Sequence, residues 1–429
     1  MGFVEEDGPG VGAPRVGETG EVRFALLGHP TVQLLRFGTK AGIVWALTLE
    51  EMGLAMLAGL FVFLGQHAAL LGMDDAVVQA PRLSRGLWRK ACSFTNRVGI
   101  AMAVLVVAAG AIAGPLTGER ELLLLTAVLA PTVWIGNLGV LPTALLLRAH
   151  AFRRVFLVDV AGAVAFALVT ILLAALGAGE WCLVGGWYAN ALASLVSART
   201  LAREERAALR AQDEEQDEVA ERAALRFGAE VSGASLLSFG GARGDGFAVG
   251  LGLGSAALGL YDWALHLAQF GLGYATSLAE RCLFPILSEE RRTNGLGRAH
   301  RAAFRLTAFG LLPAHVLLAL LAEPIVETFF PARWHGAAPI VALLALAAGA
   351  RCFEIVADTT LKAAGRGGAV WKLSAVRLFV LVVALLATLP SGTGRVAAGV
   401  LVARVIGAAL STGVAARELR VLAGEARVA

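Results

Sequence analysis

Apolar runs long enough to cross a bilayer recur along this chain, at 23–47, 53–72, 92–114, 122–144, 155–177, 181–198, 227–252, 259–287, 303–322, 337–361, 369–389 and 396–414. Each is close to the roughly 20 apolar residues that a membrane-crossing helix requires. Twelve such runs consume most of a chain of 429 residues and leave little for anything else. Charged residues make up 16% of the sequence, against about 25% in a soluble domain. Disorder is excluded as well, because it requires low hydrophobicity and high net charge. The chain is an all-α integral membrane protein of about twelve spans.

The distribution of cations gives the expected orientation. With an N-terminus on the cytoplasmic side, twenty-four Lys and Arg fall in segments on that side and only Arg120, Arg333 and Arg395 on the other. Such a bias is what sets topology in the membrane, and it predicts a multi-pass membrane protein with both termini cytoplasmic. Trp45, Trp88, Trp181, Trp334 and Trp371 fall near expected helix ends, where indole rings sit among headgroups. The one long polar stretch, 199–226, mixes signs at helical spacing and predicts a cytoplasmic linker helix between a lobe at 23–198 and a lobe at 227–414. Residues 1–22 read as a disordered cytoplasmic tail and 415–429 as a second tail. The halves look like a parallel repeat. Leu35-Arg36-Phe37-Gly38 opens the first and Leu225-Arg226-Phe227-Gly228 the second, each followed by a helix and a Gly-Leu pair expected as a turn (Gly53-Leu54, Gly259-Leu260). Two six-helix halves related about the membrane normal form a transporter architecture.

Eight cations lie inside the apolar runs: Arg36, Lys40, Arg97, Arg243, Arg305, Arg351, Arg377 and Arg404. A charge facing lipid at mid-membrane costs about 2.5–3.5 kcal/mol on insertion scales. These groups therefore line a hydrated cavity, pair with acids, or reach to the interface. Arg36 and Lys40 are four apart and share a helix face, with no acid beside them on that helix. Arg97 and Arg243 are the other candidates for an inner cavity. Arg351, Glu354, Asp358 and Lys362 form one stripe, either a polar wall with a protonatable acid or an ion-pair ladder that docks helices. Asp262, His266 and Gln269 share a face. They read either as a proton-linked pair, since His titrates near neutral pH, or as interhelical hydrogen bonding. Arg243 and Asp245 are two apart and do not share a face. His29, His67 and His315 are isolated and read as hydrogen-bonded glue.

No nucleotide-binding GxxxxGK[ST], HExxH, GxSxG or metal-spaced His/Cys cluster is present, so no catalytic residues, metal or bound cofactor are expected. Cys92, Cys182, Cys282 and Cys352 are scattered and read as small core residues. The basic balance does not point to nucleic acid, because the charges sit at helix ends. Transport is expected to draw on an ion gradient or on substrate turnover.

Several stretches together resemble the polysaccharide flippases (O-antigen, Wzx-type) of the MOP superfamily, relatives of the MATE drug exporters. They are LTLEEMGLAMLAGLFVF (47–63), DAVVQ (75–79), LLLRAHAFRRVFLVDVAGAV (145–164), GAGEWCLVGG (177–186), ALRFGAEVSGASLLSFGGARGDGFAVGLGLGSAALGLYDWAL (224–265), FPILSEERR (284–292) and EPIVETFFPARWHGAAPIVALLALAA (323–348). The similarity runs from about 34 to 414. Trp45, Leu49, Gly246 and Asp262 depart from the family pattern. The resemblance implies a MATE-like fold of two lobes around a central cavity. It also implies flipping of a polyprenyl-pyrophosphate-linked oligosaccharide, in lipopolysaccharide or other surface polysaccharide biosynthesis, with neighbouring polymerase and assembly proteins as partners. In that reading Arg36, Lys40, Arg97 and Arg243 hold the diphosphate. Asp245, Asp262, His266, Arg351, Glu354 and Asp358 line the polar wall or couple H+ or Na+. The alternatives are an ion-coupled drug or metabolite exporter of the same superfamily and a membrane enzyme of polysaccharide assembly. The short outside loops weigh against the enzyme.

Overall fold

A computed structural model describes residues 18–428 apart from 71, 81–82, 212–236, 238, 280–282 and 293–295. All regular structure among the described residues is helical. The first lobe holds α1 (Glu18–Ile43), α2 (Leu49–Leu70), α4 (Arg85–Thr117), α5 (Glu121–Arg148), α6 (Phe152–Ala175) and α7 (Trp181–Leu201), with the short α3 (Met73–Gln79) and α8 (Arg203–Arg210). The second lobe opens with α9 (239–253). The next span is broken at Gln269 into α10 (Ser255–Ala268) and α11 (Phe270–Leu278). After α12 (Phe284–Arg292), α13 (Leu296–Leu306) continues through a π turn at Thr307–Leu311 into α14 (Leu312–Leu320). Then come α15 (Ala322–Phe329), a 3-10 turn at Ala332–Ala337, α16 (Ala338–Ala363), α17 (Gly367–Thr388) and α18 (Thr393–Val428).

Every expected span thus has a helical counterpart. The first begins at Glu18, five residues before the apolar run, and the last extends to Val428. The connection between the apolar runs 303–322 and 337–361 is largely helical, in α15 and the 3-10 turn. The linker expected at 199–226 is described only to residue 211, and the second Leu-Arg-Phe-Gly motif lies outside the described residues. Among the described residues, eight helices are long and apolar enough to cross a membrane.

Local signals set several boundaries. The Thr48 backbone N–H donates to Glu51 Oε2 at 2.7 Å, and the Glu51 N–H donates back to Thr48 Oγ1 at 3.2 Å. This reciprocal cap satisfies two donors that would otherwise be orphaned at the start of α2. Ser84 Oγ caps α4 by accepting from the Leu87 N–H. At the end of α3, the Arg148 guanidinium donates to the carbonyls of Val77, Val78 and Ala80, placing a cation at the negative end of the helix.

The lobes meet at the side that carries few Lys and Arg. Gly53 of α2 and Gly259 of α10, expected in turns, lie inside helices and face each other. A Cβ on Gly53 would stand 1.7 Å from the Ser255 carbonyl oxygen, and one on Gly259 would stand 2.1 Å from that of Leu49. Only glycine permits this backbone-to-backbone approach, as at small-residue crossings in membranes generally. The corresponding Gly-Leu pairs of the two halves are therefore a seam. Around it, Arg333 Nη2 donates to the carbonyls of Val44 and Trp45, and Trp334 Nε1 donates to that of Val44. Trp334 was expected at the headgroups but is fully buried, its ring tilted against Trp263 at a centroid distance of 5.6 Å. Trp45 and Trp371 do remain exposed. One hydrophobic core runs across the seam, joining Ile43, Leu47 and Met52 to Leu258, Tyr261 and Trp263.

Gly53→Ala or Gly259→Ala should therefore force the lobes apart at this side. Spin-label distances between α2 and α10 should lengthen. Gly413, which has nothing within 4 Å of a built Cβ, supplies the control. There Ala should be neutral or stabilising by up to about 1 kcal/mol.

Candidate functional site

Beneath the seam the lobes enclose a cavity of about 640 Å3. Among the described residues its cations are Arg36 and Lys40 from α1, Arg243 from α9 and Arg351 from α16, and the one carboxylate that lines it is Asp262 of α10. Lys40 Nζ donates to Asp262 Oδ2 at 2.6 Å across the lobe boundary, and Arg243 Nη1 lies 3.6 Å from Asp262 Oδ1. The acid missing from the Lys40 helix is thus supplied by the other lobe. Arg36 and Arg351 have no ion pair within 4 Å among the described residues. Next to Asp262, the His266 ring stacks on Phe37 at a centroid distance of 5.4 Å, and its Nε2 is buried without a hydrogen-bond partner. His67 and His315 do bond to backbone carbonyls of their own helices.

The remaining charged residues separate into two further places. Asp245 is buried and does not line the cavity. It accepts from the Tyr261 hydroxyl at 2.9 Å and from the Gly246 N–H. Glu354 and Asp358 line a second cavity of about 170 Å3 within the second lobe, together with Arg351, Lys362, Arg377 and Arg404. Arg351 borders both cavities. Arg377 of α17 lies 3.7 Å from Glu354 and 2.8 Å from Asp358, and also reaches the Ser374 and Ser411 hydroxyls. Arg404 of α18 lies 3.6 Å from Glu354 and donates to the Gly241 carbonyl. A Cβ on Gly407 would stand 2.4 Å from Glu354 Oε1, so the glycine leaves room for the buried carboxylate. The stripe on α16 is in this structure an ion-pair network that docks α17 and α18. Arg97 is a correction. It is exposed on α4 and does not line the cavity. At 33 residues α4 is about 50 Å long, well beyond the roughly 30 Å of hydrocarbon. Arg97 can therefore reach the headgroups without facing inward.

The family model for "Polysaccharide biosynthesis protein" matches residues 46–339. The chain belongs to this family. No curated protein matches the sequence closely enough to count as a relative. Solved structures share the fold. The lipid II flippase MurJ in an inward closed conformation aligns with a TM-score of 0.72 at 12% identity, over 95% of this chain and 90% of that one. An inward-facing multidrug resistance MATE transporter of the MOP superfamily aligns with a TM-score of 0.68 at 16% identity, over 93% and 98%. A MOP superfamily transporter from Pyrococcus furiosus, described as having a binding pocket of reverse polarity, aligns with a TM-score of 0.63 at 15% identity, over 94% and 96%. The fold is thus that of a MOP superfamily membrane transporter.

In this family member the sequence reading missed Gln33, Gln66, Trp187 and Asn190, which also line the central cavity. Their signal was polarity inside apolar runs. Counting the described residues alone, the expected spans not among those eight helices are α1, α7, α9 and α10–α11. Those helices supply most of the polar lining. Arg377 and Arg404 were visible as costly cations, but their partners on α16 were not assigned.

Two stability tests follow. Asp262→Asn should lower unfolding stability by about 1–3 kcal/mol, because it leaves the Lys40 ammonium without its counter-ion. Lys40→Met on that background should recover much of the loss in a double-mutant cycle. Arg377→Ala should cost about 3–5 kcal/mol, and Arg377→Lys should rescue it poorly, since a single ammonium cannot replace the guanidinium fork. Thermal unfolding of the purified variants measures both.

Proposed function

We propose that the chain flips a polyprenyl-pyrophosphate-linked oligosaccharide across the bacterial inner membrane by alternating access. The observation that carries this reading is the charge balance of the central cavity, four cations against one carboxylate among the described residues. A diphosphate cannot cross hydrocarbon unpaired, and guanidinium groups recognise phosphate oxygens in paired, charge-assisted hydrogen bonds. Arg36, Arg243, Arg351 and Lys40 would hold the diphosphate. Gln33, Gln66 and Asn190 would meet sugar hydroxyls. The polyprenyl tail would stay in the bilayer between the lobes. A carrier of cationic drugs would need the opposite charge balance.

The coupling of cargo to motion runs through Asp262. An arriving diphosphate competes with its carboxylate for Lys40 and Arg243. Release of the inter-lobe bridge lowers the cost of separating the lobes, so the cargo favours the other conformation by its differential affinity. With the termini cytoplasmic, the lobes are sealed on the outer side and the cavity lies toward the inside. H+ or Na+ would act through Asp262 and His266, while Arg377 and Arg404 occupy Glu354 and Asp358. Asp245 serves by holding Tyr261. Polymerase and other assembly proteins would receive the cargo.

Deletion of the gene should abolish the surface polymer and trap lipid-linked single repeats in the cytoplasmic leaflet. Complementation with Arg36→Ala/Lys40→Ala should leave the polymer reduced at least about tenfold, since each lost charge-assisted contact is worth about 1.5–3 kcal/mol. Wild-type polymer at normal expression of the double variant would overturn the reading.

A further inference from the structure

A second pocket lies in the first lobe, outside the central cavity, between α4, α5, α7 and α8. It encloses about 290 Å3 and shares no lining residue with the central cavity. Among the described residues Arg89, Arg199 and Arg206 line it, and no carboxylate does. Its wall includes Trp88, and its floor is the apolar surface of Leu138, Leu141 and Pro142. Two further lining residues, Thr95 and Asn137, are 3% and 2% exposed. Thr95 Oγ1 and Asn137 Nδ2 are buried without a hydrogen-bond partner.

These orphaned groups are the telling part. Helical threonines here commonly turn the hydroxyl back onto the i−4 carbonyl, as Thr39, Thr126, Thr143, Thr359 and Thr360 do. Thr95 does not. Gly99, one turn further along α4, gives Asn137 room, since a Cβ there would stand 3.0 Å from Nδ2. Buried donors without acceptors are costly, and both donors border one pocket whose charged groups, among the described residues, are cationic. The pocket sits where α4 begins and α5 and α7 end, at the side that carries most of the Lys and Arg. Basic pockets between helices at that depth bind lipid headgroups.

We propose that this pocket binds the phosphate headgroup of an anionic phospholipid from the adjoining leaflet. The arginines pair with the phosphate, Asn137 and Thr95 donate to its oxygens or to the ester carbonyls, and the apolar floor meets the start of the acyl chains. A bound headgroup ties α8, and with it the beginning of the inter-lobe connection, to α4 and α5. The inference does not depend on which cargo the central cavity carries.

Native mass spectrometry of the full chain in detergent tests it, with phosphatidylglycerol, phosphatidylcholine of the same acyl chains, and glycerol 3-phosphate as probes. Phosphatidylglycerol should be retained in preference to phosphatidylcholine. Arg199→Gln/Arg206→Gln should weaken its binding about thirtyfold, and Arg199→Lys/Arg206→Lys should retain most of it. Thr95→Val/Asn137→Leu, which removes the buried donors without touching the charges, should weaken binding as well and carries the test if the glutamine variant fails to fold. Glycerol 3-phosphate binding as tightly as the lipid would assign the site to a soluble phosphate and overturn the lipid. Equal retention of phosphatidylglycerol by wild type and the Thr95/Asn137 variant would overturn the site.

Discussion

A carboxylate inside a membrane protein must be paired or wet, and Asp262 is paired across the molecule's main division. Its two oxygens face Lys40 of the first lobe and Arg243 of the second. The pair lies just beneath the seam where α2 and α10 touch backbone to backbone at Gly53 and Gly259. The glycines allow the lobes to close, and the ion pair gives the closed arrangement an electrostatic preference. The cavity below is what remains when the lobes meet on one side only. Its shape and its net positive lining both depend on that closure.

The two charge clusters do opposite things with the same chemistry. In the second lobe, Arg377 and Arg404 surround Glu354 and Asp358, so the charges are used up in holding α16, α17 and α18 together. In the central cavity the cations outnumber the acid, and Arg36 and Arg351 stand without an ion pair among the described residues. A surplus of that kind calls for water or an anion as its counterpart, and the proposed function rests on that requirement. Arg351, at the border of both cavities, links the structural cluster to the open one.

Much of this was legible before any coordinates. The twelve apolar runs gave the helices because a span must be long and apolar, a requirement that leaves an unmistakable pattern. The stripe from Arg351 to Lys362 was legible because helical spacing is local. The Lys40–Asp262 bridge was not, because its partners are 222 residues apart and neither helix alone says which face meets the other lobe. Arg97 misled for a related reason. Its cost was counted as if α4 were only as long as the bilayer, whereas the helix is long enough to bring that arginine to the interface. The Gly-Leu pairs were seen as a repeat, but their role as the seam required both halves in place.

The central claim is that an anion-selective cavity moves a diphosphate-linked lipid between leaflets. Its most direct test is transport by the purified full chain in liposomes, using a short fluorescent polyprenyl-pyrophosphate disaccharide and a membrane-impermeant quencher. Wild-type protein should expose the labelled lipid to the quencher, and an uncharged analogue with a hydroxyl in place of the diphosphate should not be carried. Equal movement of the uncharged analogue, or movement of a cationic dye with none of the diphosphate lipid, would contradict it.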